Sequence, residues 1–225
     1  MNQEPEQDVD TETVKEASRK AAGQGESIRE EVRNITLQAL SQGRLDVDKI
    51  KHVAHAVIEG ASIGAKEKGV HVKATLSESI AGLDDALEQV AEASKLSLEE
   101  AAGHLKEFSR RDLKQAQDDL LALEGIYLDI LKSVAKSSDE VISNTLNDLI
   151  QHVRNSGTAV GKRSAKIVEA LNHELRQTIS ETVTASADTA LKVASKLSHA
   201  AAGFLDGIAQ TLDSKVKTRT PDKQE

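Results

Sequence analysis

From Ile142 to Leu212 an uncharged stripe recurs at spacings of 4-3-4 and repeats every eleven residues. Its positions are Ile142, Leu146, Leu149, Val153, Gly157, Val160, Ser164, Val168, Leu171, Leu175, Ile179, Thr182, Ser186, Ala190, Val193, Leu197, Ala201, Phe204, Ile208 and Leu212. The span carries 13 charges in 71 residues, so chance alone would put about four of them on the stripe, which holds none. Eleven residues over three turns is about 3.67 per turn, close to a straight α-helix and slightly right-handed if supercoiled. A strand alternates its faces at every residue and has no use for such a period. This third of the chain is therefore expected to be helix, with Asn155-Ser156-Gly157 as a kink or break across which the phase survives.

The remainder reads the same way. Pro5 and Pro221 lie at the two ends, so the interior lacks the strongest helix breaker. No alternating run of β-branched and aromatic residues appears, and no Asn-Gly or Asp-Gly hairpin turn. A first helix is expected over 11–41, on Val14, Ser18, Ala21, Gly25, Ile28, Val32, Ile35 and Ala39, weakened in its first half by Gly23 and Gly25. Asp46 is a good N-cap for a second. Gln42-Gly43 is expected to end the first; after Lys68-Gly69 a third segment carries Leu76, Ile80, Leu83, Leu87 and Val90, and Ser97 with Glu100 forms a capping box that restarts or reinforces a helix. A heptad-like stripe then runs from Leu98 to Val134, and Ser138 or Asp139 caps the next segment. The fold class is all-α, an elongated bundle or coiled coil of long amphipathic helices. The expected organisation is a disordered acidic tail over 1–10, an acidic helical region over 11–138, the eleven-residue repeat over 139–216, and a second disordered tail over 217–225.

Composition narrows the function. Aromatics are 1% of the chain, namely Phe108, Tyr127 and Phe204, far fewer than a compact enzyme core or a set of interface anchors uses. With no cysteine there are no disulfides, thiolate metal sites or cysteine nucleophiles. No stretch approaches the apolar length that spans a bilayer, and the acidic start is neither a secretory nor a transit signal. Ala56, Gly60 and Gly64 lie four apart; with His52, His55, Glu59 and Lys66 around them they predict close helix–helix packing, or the weak point of the helix, rather than a membrane dimer. Charge is uneven: 29 acids against 18 bases before residue 149, but 6 against 10 over 149–219. That predicts a weakly anionic partner for the C-terminal part, contact between the halves, or two differently solvated faces.

Few residues are placed for chemistry. His52, His55 and Glu59 share one helical face and are the candidate metal ligands, although no HExxH or paired ExxH motif accompanies them. The acidic pairs Asp84-Asp85, Glu99-Glu100 and Asp118-Asp119 read as helix exteriors, without the burial a general acid needs. Arg154, Lys162, Arg163 and Lys166 form a small basic cluster with no aromatic among them to stack a base, which argues against nucleic acid. No enzyme activity and no cofactor are expected.

At SADTALKVASKLSHAAAGFLDGIAQTL (186–212) the chain resembles the bacterial phasins, helical proteins that coat carbon-storage polyester granules and assemble through coiled coils. The likeness covers roughly 140–216 and is one of composition and period. The same rhythm is similar to that of apolipoproteins and desiccation-related helical proteins. The resemblance implies a non-enzymatic protein that associates with a storage granule or lipid surface, cytoplasmic or peripheral on that surface. The residues that would make the contact are Val168, Leu171, Leu175, Ile179, Val193, Leu197, Phe204, Ile208 and Leu212. Two alternatives stand beside it: a self-assembling coiled-coil scaffold and a helical metal-binding protein. Homo-oligomerisation is expected, because long amphipathic stripes poor in large residues tend to associate.

Overall fold

The computed structural model describes residues 10–24, 26–42, 46–103 and 110–182, with side chains described within 10–24, 26–42, 46–95 and 114–173. Seven helices occur among them: α1 (Thr11–Gln24), α2 (Ile28–Leu40), α3 (Val47–Lys68), α4 (Val72–Gly103), α5 (Arg110–Ser137), α6 (Glu140–Ser156) and α7 (Ala159–Thr182). No strand occurs among the described residues, and the all-α expectation holds. The expected tails, apart from Asp10, lie outside the described residues.

Four boundaries fall where local chemistry puts them. The Asp46 carboxylate accepts the Lys49 N–H at 2.8 Å and caps α3. Gly69 adopts φ 69° and returns its N–H to the Ala65 and Lys66 carbonyls. Asp139 starts α6 by accepting the Val141 and Ile142 N–H groups. Gly157 ends it at φ 75°, ψ 153°, a conformation that only glycine adopts without strain.

Two boundaries differ from expectation. The single helix over 11–41 is two helices, because α1 lies along α3 while α2 lies along α4. Gly23, in the last turn of α1, makes the break cheap, and Ser27 enters α2 without a side-chain cap bond. At Ser97–Glu100 the helix is not restarted, which leaves the other expectation, a pair within a continuous helix. Ser and Glu at that spacing are equally at home inside a helix, and α4 runs through them to Gly103. The stripe drawn from Leu98 to Val134 accordingly begins in α4 and continues in α5, and its positions within 104–109 lie outside the described residues.

The shortage of large apolar side chains is met by close approach. A Cβ at Gly60 would fall on the Lys15 carbonyl oxygen, and one at Gly64 on that of Arg19, so the α1 backbone rests directly on α3. Gly82 of α4 receives the Arg29 carbonyl of α2 in the same way. The expectation of tight packing at Gly60 and Gly64 is met within the chain. Buried Ser18, Thr36, Ser62, Ser79 and Ser94 each donate to the carbonyl four residues back, which satisfies a small side chain at no cost in width. One apolar cluster, running from Val14 on α1 to Leu171 on α7, joins all seven helices.

Ion pairs between helices fix the register. Lys15–Glu59 and Arg19–Glu67 tie α1 to α3, Arg29–Asp85 ties α2 to α4, and Lys73–Asp148 ties α4 to α6. Each is worth little alone at an exposed site, so they select an alignment more than they stabilise it.

Candidate functional site

The eleven-residue stripe is the main candidate, and its first half faces inward. Ile142, Leu146 and Leu149 on α6 are buried, as are Val160, Ser164 and Leu171 on α7, with Val153 and Val168 half-buried against them. The phase does survive the break at Gly157, because both helices lay the same stripe on the core. Leu171, expected to meet a partner, is 2% exposed and packs within the chain. Val168 lies half-buried beside it. Leu175 and Ile179 belong to α7, and their side chains lie outside the described part. Val193, Leu197, Phe204, Ile208 and Leu212 also lie outside the described residues.

The start of α7 is held by polar groups that local sequence did not reveal. Asp84 of α4 accepts the Ala159 N–H at 2.7 Å and the Val160 N–H at 3.0 Å, so two orphan donors of α7 are satisfied from another helix. Glu124 of α5 accepts the Thr158 hydroxyl at 2.7 Å. That hydroxyl oxygen in turn accepts the Gly161 N–H at 2.7 Å, the geometry of an N-cap. Gly161 has no side chain because the Glu124 carboxylate occupies the space a Cβ would need. Arg163 pairs with Glu92 of α4 one turn further on. The acidic pair Asp84-Asp85, expected on a helix exterior, is covered instead: Asp84 faces α7, and Asp85 takes Arg29 of α2 at 2.6 Å. Beneath them Tyr127, fully buried on α5, donates to the Ile80 carbonyl at 3.2 Å.

These environments set opposite responses to acid. Burial raises the Asp84 carboxyl above its usual range; the two N–H bonds oppose this and are outweighed, and Asp85 and Glu124 add smaller upward pushes. On α1, hydrogen bonding from Arg19 holds Glu16 down at about 2. A depressed carboxylate contributes stability above its unfolded value, 4.5 for Glu16, and loses it as pH falls towards about 2. A raised one does the reverse: Asp84 adds stability as pH falls through its folded value towards 3.8. Hydrogen-exchange protection at the start of α7 is therefore expected to rise relative to α1 when the protein is acidified. Parallel loss in both helices would contradict this.

The candidate metal ligands come only partly together. His55 Nδ1 lies 3.8 Å from Glu59, whose other carboxylate oxygen pairs with Lys15 at 2.9 Å, while His52 is exposed. A lysine ammonium thus stands where a cation would bind the carboxylate. Among the described residues no three His, Asp or Glu side chains form a metal-binding group. In the basic cluster, Arg163 is committed to Glu92, and Arg154, Lys162 and Lys166 are exposed. No helix among the described residues is long and apolar enough to cross a membrane.

A family of unknown function, DUF6781, matches residues 4–214, which takes in all seven helices and the whole stripe. The chain belongs to that family. No curated protein and no solved structure matches it. The match extends without a break from the acidic tail to beyond Leu212, so the stripe and the bundle that buries its first half fall within one family unit.

Proposed function

We propose that this protein works without catalysis, as an amphipathic helical protein that associates with an apolar surface, a storage granule or lipid, through the C-terminal part of its stripe. The observation that carries the reading is the division of that stripe. Up to Leu171 it is the face by which α6 and α7 adhere to the core, and the same uncharged phase continues for forty-one residues to Leu212. In sequence Val193, Leu197, Phe204, Ile208 and Leu212 keep the period of that face, and an apolar phase is what such a pattern suits. The best-placed carboxylates, Asp84 and Glu124, are engaged with helix N–H groups and a hydroxyl, which supports a structural use for them. A second reading, a self-assembling scaffold, draws on the same phase, because a stripe of small and aliphatic residues also suits another copy's helix.

The pair Val193→Asp with Leu197→Asp separates the two. A carboxylate pressed on an apolar phase without a partner is costly. In the surface reading the variant keeps its helicity and mass and loses co-sedimentation with phosphatidylcholine–phosphatidylglycerol vesicles or polyester particles, by roughly tenfold or more. The two kinds of particle distinguish lipid from polymer. Dissociation of a wild-type oligomer, with no particle binding by either protein, would refute the surface reading and establish the scaffold.

A further inference from the structure

The α6–α7 connection is only two residues long. Gly157 sits in a glycine-only conformation, and Thr158 is the cap of the helix that follows. Beyond it, among the described residues, the polar fastenings of α7 lie at its first turns: Asp84, Glu124 and Glu92, from two other helices, take the Ala159 and Val160 N–H groups, the Thr158 hydroxyl and Arg163. Burying the Asp84 carboxylate costs more than its two N–H bonds return, as its raised pKa records. The apolar hold is also incomplete. Ser164 lies on the buried face at 1% exposure, and its hydroxyl has no hydrogen-bond partner, whereas Ser18, Ser62, Ser79 and Ser94 all return theirs to their own helices. A buried hydroxyl left without a partner weakens the docked state. A hinge, a polar fastening at one end and an imperfect face together describe an element that lifts as a unit.

We infer that α7 is a releasable strap: hinged at Gly157 and fastened by Asp84, Glu124 and Glu92, it holds its own part of the stripe, from Val160 through Val168 to Leu171, against α4 and α5, and its release adds that part to the surface-binding face. This rests on the surface reading given above. In the closed state α7's own stretch of the stripe, from Val160 to Leu171, is turned to the core and is not available to an apolar phase. In the open state the contact lengthens by more than one eleven-residue repeat, so binding and strap opening favour each other.

Thr158→Ala loosens the fastening without touching the stripe, because it removes the acceptor of the Gly161 N–H and the donor to Glu124. Amides 160–171 are expected to exchange roughly tenfold faster in this variant, with α3 unchanged. Equal acceleration in every helix, or none in α7, would overturn the strap. The chain has no cysteine, so Glu92→Cys with Arg163→Cys gives one defined pair, closed by a reducible bis-maleimide across the space their ion pair occupies. Binding of the full chain to phosphatidylcholine–phosphatidylglycerol vesicles is expected to strengthen severalfold in Thr158→Ala. It is expected to weaken on cross-linking and to recover on reduction. Cross-linked and reduced protein binding equally well would overturn the strap and leave the surface reading intact. If neither wild type nor Thr158→Ala binds, while α7 exchange still responds selectively, the surface reading fails and the strap stands as a hinge.

Discussion

Tyr127→Ala is expected to destabilise the fold by about 3–5 kcal/mol, the range for truncating a large buried aromatic. Tyr127 is the largest fully buried side chain among the described residues, and it fills the region where α5 meets α4. Tyr127→Phe removes only the hydrogen bond to the Ile80 carbonyl and is expected to cost about 1 kcal/mol. Urea denaturation followed by helical circular dichroism checks both. A loss under about 1 kcal/mol for the alanine variant would mean that the α4–α5 junction is not packed as described.

Gly60→Ala is expected to be nearly as damaging, although it adds a single methyl group. The new Cβ would lie 2.1 Å from the Lys15 carbonyl oxygen, a helix backbone atom that cannot rotate away. Relief requires α1 to lift from α3, which would also part Lys15 from Glu59 and Arg19 from Glu67. A cost of about 3 kcal/mol or more is expected, the upper end for overpacking. Gly125→Ala is the counterpart. Gly125 lies in α5 with nothing within 4 Å of its would-be Cβ, so helix propensity alone acts, and a gain of about 0.5–1 kcal/mol is expected. Thermal melts of the two variants should therefore move in opposite directions. Equal shifts would refute the packing of α1 on α3.

Much of the fold is written locally. Asp46, Gly69, Asp139 and Gly157 act on backbone groups within four residues of themselves, and their chemistry is legible one residue at a time. The small-residue spacing at Ala56, Gly60 and Gly64 announced close packing, although it could not say that α1 would fill the groove. What local sequence hides is which neighbour a segment chooses. The stripe over 11–41 keeps its phase from Val14 to Ala39, yet its halves belong to different partners, and the break at Gln24 follows from that choice. The Ser97–Glu100 pair looks the same inside a helix as at its start.

The candidate site divides along the same line. The stripe was visible as a period, and its inward burial through Leu171 follows from a bundle that needed the face. The fastening of α7 was not visible. Asp84 is 75 residues from Ala159 and Glu124 is 34 from Thr158, distances at which no periodicity links them. Thr158, directly after a glycine and before a helical run, was the one local clue, since it is a standard N-cap residue.

The lone tyrosine has a further consequence for anyone who handles the protein. With no tryptophan in the chain, Tyr127 is its only strong ultraviolet fluorophore, and it sits where α5 meets α4. Bulk fluorescence, which usually averages over many emitters, is here a single-site signal. Its intensity follows the departure of one phenol from one carbonyl, and it needs no label to do so.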